Sequence, residues 1–340
     1  MKFSIRAILG FALCAATALA ANPPHYKVVD KVKLGGEGGW DYLYVDSAAH
    51  RLYISRGTHV MVVNTDDNKV VGDIPNTPGV HGVAISKSGK AFTSNGRDNT
   101  VTPFDPKTLK TSEPIKVGDR PDAIVYDSYS GRVFTFNAAG KDATAVDAET
   151  GKVAGSVPIG GKPEFSQSNG KGMMWVNNED AGVLVQFDPK SLKVTNQWKM
   201  DGCEEPSGLA LDAKHEILFS GCRSKIMAIT DGKSGKQIAK IPIGAGVDAC
   251  AFDPGTQLAF SSNGEGNITV IHEDSPTKFS VVQTVDTQRG ARTMTLDPKT
   301  HKLYTVTAEF GPPPAATADN PRPRPSMVPD SFTLIVLAPE

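Results

Sequence analysis

Ala123-Ile124-Val125-Tyr126-Asp127, then Arg132-Val133-Phe134-Thr135-Phe136, then a stretch closing in Asp147-Ala148-Glu149-Thr150-Gly151-Lys152 and running into Val153 to Ile159, is the segment whose reading decides the fold. Its runs are short, apolar, and rich in β-branched and aromatic residues, which suits pleated, packed strands rather than helices. Asp, Gly and Lys punctuate them where tight turns are needed. The same order recurs along the whole chain. Aligned on the residue before the first turn, the units fall at Asp46, Ser86, Asp127, Asn169, Asp212, Asp253 and Asp297, spaced by 40 to 44 residues. A period of that length carrying four short strands predicts a β-propeller blade. The expected fold is therefore all-β: a seven-bladed β-propeller with four antiparallel strands per blade, forming one domain over residues 21–340.

Working outward, the inner strand of each unit is a short apolar run, as in Leu43-Tyr44-Val45, Val83-Ala84-Ile85 and Leu209-Ala210-Leu211. Unit four departs from the pattern, because Phe165-Ser166-Gln167-Ser168-Asn169 makes a poor inner strand and leaves its register open. The chain begins its repeats with Tyr26 to Leu34, an outer strand without a blade, and ends at a third strand, Phe332 to Leu337. Pairing the two would close the ring, tie down both termini and remove an exposed edge.

The 340 residues, 39% hydrophobic and 21% charged, have the composition of an ordinary globular protein. Residues 1–20 stand apart: Lys2 and Arg6 precede an apolar stretch, Ala7 to Leu19, that ends in Ala18-Leu19-Ala20 before Ala21. That is the pattern of a cleaved secretory signal peptide. Cys14 lies inside the stretch behind Leu13, where lipidation wants a small residue, so a soluble exported product is expected rather than a lipoprotein. Cleavage lowers Lys plus Arg from 36 to 34 against 37 acids, a net −3, which argues against a nucleic-acid partner. No internal apolar run approaches the ~18 residues of a membrane span. The expectation is a periplasmic or secreted monomer whose partner is a small molecule or another protein.

The repeated inner strands with their Asp-Pro turns, the hairpin ends Ser94-Asn95-Gly96 and Ser262-Asn263-Gly264, and the Thr-Gly-Lys turns together resemble the YVTN-type, YncE-like family of bacterial seven-bladed propellers. The resemblance covers residues 26–340. It implies an exported propeller and carries no catalytic signature with it.

Strand direction divides the disc into two faces. One carries the regular Asp-Pro-Lys-Thr turns; the other, here the top, carries the irregular loops in which function concentrates. Five residues before each alignment point lies the residue that leads into the inner strand at the channel mouth: Asp41, His81, Asp122, Glu164, Ser207, Asp248 and Arg292. Crowded carboxylates demand a counter-charge. Arg292 supplies part of it, and a bound amine or divalent cation held by Asp122, Glu164 and Asp248 would supply the rest, with His81 as candidate general base. The plainer alternative is a polar, water-filled channel.

Three further features belong to the top. Residues 310–330, from Phe310-Gly311-Pro312-Pro313-Pro314 past Arg322 and Arg324, form a proline-rich insertion in blade seven that reads as a lid or as a disordered decoration. Cys203 and Cys222 flank one blade and, in an exported protein, read as a disulfide, leaving Cys250 as a buried apolar residue. Gly35-Gly36-Glu37-Gly38-Gly39 reads as a mobile connection, with backbone amides for an anion as the alternative, and Trp40 as a residue packed between blades rather than a ligand platform. Gly232-Lys233-Ser234 imitates a phosphate loop but has no helix after it. Three functions remain in competition: a recognition module, a lactonase-like metal-assisted lyase or hydrolase, and, with no ligand set to support it, a copper or quinone oxidoreductase.

Overall fold

A computed structural model describes residues 22–340 except 316, 318–322 and 324. The signal segment, Cys14, Arg322 and Arg324 fall outside the described residues. Seven four-stranded antiparallel sheets form the blades, and no helix occurs among the described residues. Blade three is typical: Pro121–Asp127 is innermost, followed outward by Arg132–Asn137, Asp142–Asp147 and Val153–Pro158. Blade seven takes its outer strand from the other end of the chain, Tyr26–Lys33, which runs antiparallel to Thr333–Pro339. The expected clasp is present. Unit four also keeps phase, with Pro163–Ser168 as an inner strand despite its polar sequence.

Each recurrent residue type has a structural task. The Asp of the bottom turns accepts backbone N–H groups two and three residues on, as Asp147 does from Glu149 and Thr150, and so caps the turn. The Asn that ends the second strand is buried and donates into the third: Asn95 to Thr100 and Thr102, Asn137 to Asp142 and Thr144, Asn263 to Asn267 and Thr269. That amide ties the top hairpin together, which explains why Asn-Gly recurs there.

The core lies between consecutive blades. Phe134 and Phe136 of blade three, for example, pack with Met174, Val176 and Phe187 of blade four. Close to the axis the inner strands approach until side chains no longer fit between them. A Cβ on Gly208 would lie 2.5 Å from the backbone nitrogen of Cys250, so this position requires glycine.

The glycine-rich segment is not the mobile connection expected from its composition. Arg56 is fully buried and donates to the carbonyls of Gly35, Gly36, Glu37 and Gly38, with its guanidinium 3.6 Å above the Phe332 ring. The carbonyls turn inward to the cation, so the loop is pinned from within. Trp40 packs on Phe332 and Phe310 at 5.4 and 6.0 Å, as expected of a residue held between blades. Phe310 begins the insertion, whose root is closed by a bridge to Met327 and by bonds between Gly311 and Ser326 and between Val328 and Glu309.

Candidate site at the channel mouth

Because all seven inner strands start on the same face in the same phase, the residues leading into them meet around one opening. His81 of blade two lies between acids of its two neighbours, its Nδ1 2.5 Å from Asp41 and 3.3 Å from Asp122. Ser207 donates to the backbone carbonyl of Asp248 at 3.0 Å. Arg292 reaches Asp248 at 3.4 Å and Asp41 at 3.8 Å, so blades six, seven and one are linked by one guanidinium. Glu164 is held from its own strand by Lys162 at 2.6 Å, and Lys162 also pairs with Glu179.

Crowding and burial move these groups. Burial, reinforced by Asp41, pushes the Asp122 carboxyl up to about 6. Burial raises Asp248 to about 7 against the pull of Arg292. Burial and the Asp122 charge lift Glu164 to about 9 in spite of Lys162, whose ammonium is itself stabilised well above its usual range by the two glutamates. At His81 burial favours the neutral ring, but the hydrogen bond to Asp41 and the charges of Asp122 and Asp41 outweigh it and raise the imidazole.

This arrangement changes two assignments. The acids with metal-ligating convergence are not Asp122, Glu164 and Asp248; Asp41, His81 and Asp122 instead bring one ligand atom each within 4.8 Å of one another. Glu164 and Asp248 are already occupied by Lys162 and Arg292. His81 is also poorly placed as a general base. Its Nδ1 is taken, and Gly96 backs the other edge so closely that a Cβ there would lie 2.8 Å from Nε2.

Sequence reasoning missed Lys162 and Tyr42. Lys162 sits two residues before Glu164, a position the repeat phase would have flagged as mouth-facing. Tyr42 has no such signal. From blade one its ring reaches across the channel to lie 4.4 Å from Phe165 of blade four. Its hydroxyl is buried without a hydrogen-bond partner, and burial plus the charges of Asp122, Glu164, Asp41 and Asp248 drive the phenol far above its ordinary value. Tyr42 and Phe165 line a cavity of about 310 Å³ together with inner-strand residues including Val83, Ala123, Ala210, Ala251 and Met294.

Cys203 and Cys222 form the expected disulfide, with Cα atoms 5.2 Å apart. Cys250 is buried, and burial pushes its thiol up to about 12. Neither arrangement leaves a thiolate for copper.

No protein-family model matches the chain, and no curated protein matches it in sequence. Solved structures match in number, 1803 chains, so likeness of shape does not single out an activity. One is the Kuenenia stuttgartiensis hydrazine synthase, with a TM-score of 0.67, 16% identity, and coverage of 87% of this chain and 96% of that one. Another is a chain of the mitotic checkpoint complex, with a TM-score of 0.74, 13% identity, and coverage of 98% of each. At these identities the likeness shows the fold alone. No described helix is long and apolar enough to cross a membrane.

Proposed function

We propose that this propeller is an exported recognition module, of the YVTN-type, YncE-like kind, that holds a small cationic ligand at its acid-lined mouth. The observation that supports the reading best is the convergence of Asp41, His81 and Asp122 beside a buried, unpartnered Tyr42 hydroxyl. A mouth that crowds acids while leaving a phenol unsatisfied has oxygen atoms to offer an incoming amine or hydrated metal ion. The disulfide fits an oxidising compartment.

The test is thermal unfolding of chelator-treated protein with Ca²⁺, Mg²⁺ and putrescine in turn. A ligand bound to the folded state raises the midpoint by mass action. At least one probe is expected to do so in the wild type and not in the Asp41→Asn/Asp122→Asn double variant. A midpoint unmoved by every probe, or moved equally in the double variant, overturns the reading.

Metal-assisted lyase or hydrolase chemistry is the second reading, favoured by the ligand spacing of the same three residues. In it His81 is a metal ligand rather than the base. Metal-dependent opening of a simple γ-lactone, lost in the double variant, would distinguish it from plain binding.

A further inference from the structure

On the opposite face, three junctions give the aspartate that ends an inner strand a hydrogen-bonding partner from the next blade, and a fourth does not. At the end of the inner strand of blade three, Asp127 accepts from Ser168 of blade four at 2.5 Å. Asp253 of blade six is met by the imidazole of His301 of blade seven at 2.7 Å, and Asp297 of blade seven accepts from Ser47 of blade one at 2.5 Å. In each case the next blade offers a hydrogen-bonding partner to the aspartate. Between blades five and six it offers a second acid instead. Asp212, 3% exposed, faces Glu273 from the third strand of blade six, 1% exposed.

Only one group stands between them. His215 places Nδ1 2.5 Å from Asp212 and 3.3 Å from Glu273. The second contact is not aligned as a hydrogen bond, and both carboxylate oxygens of Glu273 are buried without a hydrogen-bond partner. A buried carboxylate with an imidazole at 3.3 Å and no aligned hydrogen bond is among the costlier groups a fold can keep. Asp212 caps its turn with both oxygens, Oδ1 accepting the Lys214 N–H and Oδ2 the His215 N–H at 3.3 Å, and Oδ2 is the oxygen that faces the His215 ring. Two carboxylates and an imidazole, with ligand atoms all within 4.8 Å of one another, form the donor set of a metal centre.

We propose that Asp212, His215 and Glu273 bind a divalent transition-metal cation, Zn²⁺ in the first instance, and so clamp blade five to blade six on the face away from the mouth. The donor set selects the ion. One imidazole nitrogen and two oxygens suit Zn²⁺ and its neighbours, whereas Ca²⁺ takes six to eight oxygens and Mg²⁺ an octahedron of them. The His215 side chain is 27% exposed, so water can complete the coordination sphere.

The site is tested apart from the mouth by using full-length protein that carries Asp41→Asn and Asp122→Asn, treated with chelator and titrated calorimetrically with Zn²⁺. One equivalent is expected to bind. Adding Glu273→Gln, which keeps size and shape, is expected to weaken binding at least 100-fold, and His215→Ala to do the same. Co²⁺ as a spectroscopic probe should give visible d–d bands in the mouth-blocked protein that vanish in either added variant. Circular dichroism establishes that each variant is folded, and if Glu273→Gln does not fold, His215→Ala carries the comparison. Absence of zinc binding in the mouth-blocked protein overturns the site, as does binding unchanged by the folded variant.

Discussion

Arg56 shows how one side chain can reverse the reading of a segment. Four glycines in five positions suggest freedom, yet four carbonyls converge on one buried guanidinium. Replacing Arg56 with Met is expected to cost about 3 kcal/mol, since four inward-turned carbonyls lose a charged donor that is itself fully buried. Lys should restore less than half of that, because an ammonium lacks the planar fork that reaches four acceptors. Urea denaturation of the three proteins decides it, and equal midpoints would refute the pinning role. The disulfide allows a simpler estimate. Cys203 and Cys222 are 19 residues apart, and a loop of that size is worth about 3 kcal/mol in the chain-entropy model, so the double Ser variant should unfold at a clearly lower urea concentration. The Cys pairing was legible from the sequence because Cys203 leads into blade five and Cys222 ends its second strand, which brings both to one face. The Arg56 contacts were not, since nothing local links position 56 to positions 35–38.

Among the elements, the strand Tyr26–Lys33 has the largest consequence for its size. It covers the edge of Thr333–Pro339, which otherwise exposes a row of unpaired backbone groups. Tyr26 anchors it: the ring is 2% exposed, packs edge-on against Phe260 at 5.0 Å, and donates its hydroxyl to the His301 carbonyl at 2.8 Å. Tyr26→Ala should therefore cost about 3 to 5 kcal/mol, the range for losing a large buried ring. Deleting residues 22–33 should go further and yield a protein that associates through the bare edge, seen as a larger particle mass than that of the full chain in light scattering. A truncated chain with the oligomeric state and stability of the full one would contradict the clasp's role. Strands of this kind are readable in sequence because their alternation and spacing repeat. The polar inner strand of blade four was the exception, held in phase by its neighbours rather than by its own propensity.

At the scale of the ring, the mouth acids belong to different blades, so their titration reports on assembly. Burial pushes the Asp248 carboxyl up to about 7 in the folded state, from an ordinary value of 3.8. Below the lower value both states hold the proton and its contribution to stability is fully present. As pH rises from about 4 through 7 the unfolded chain releases its proton first, and stability is lost. Asp248→Asn should flatten that slope by about 1 to 3 kcal/mol between pH 4.5 and 8, the range discounted because a quarter of the side chain meets solvent. Parallel stability profiles for the two proteins would rule this out. The sequence by itself determined the number of blades, the strand order, the terminal closure and which residue of each unit leads to the channel, because these follow from a period that every repeat obeys. Only the tertiary structure decided that His81 bridges Asp41 and Asp122, that Lys162 and Arg292 occupy the acids first assigned to a metal, that Tyr42 crosses the axis, and that Glu273 faces Asp212. Those pairings depend on how far individual side chains reach between blades, and a repeat pattern specifies the blades without specifying the contacts across them.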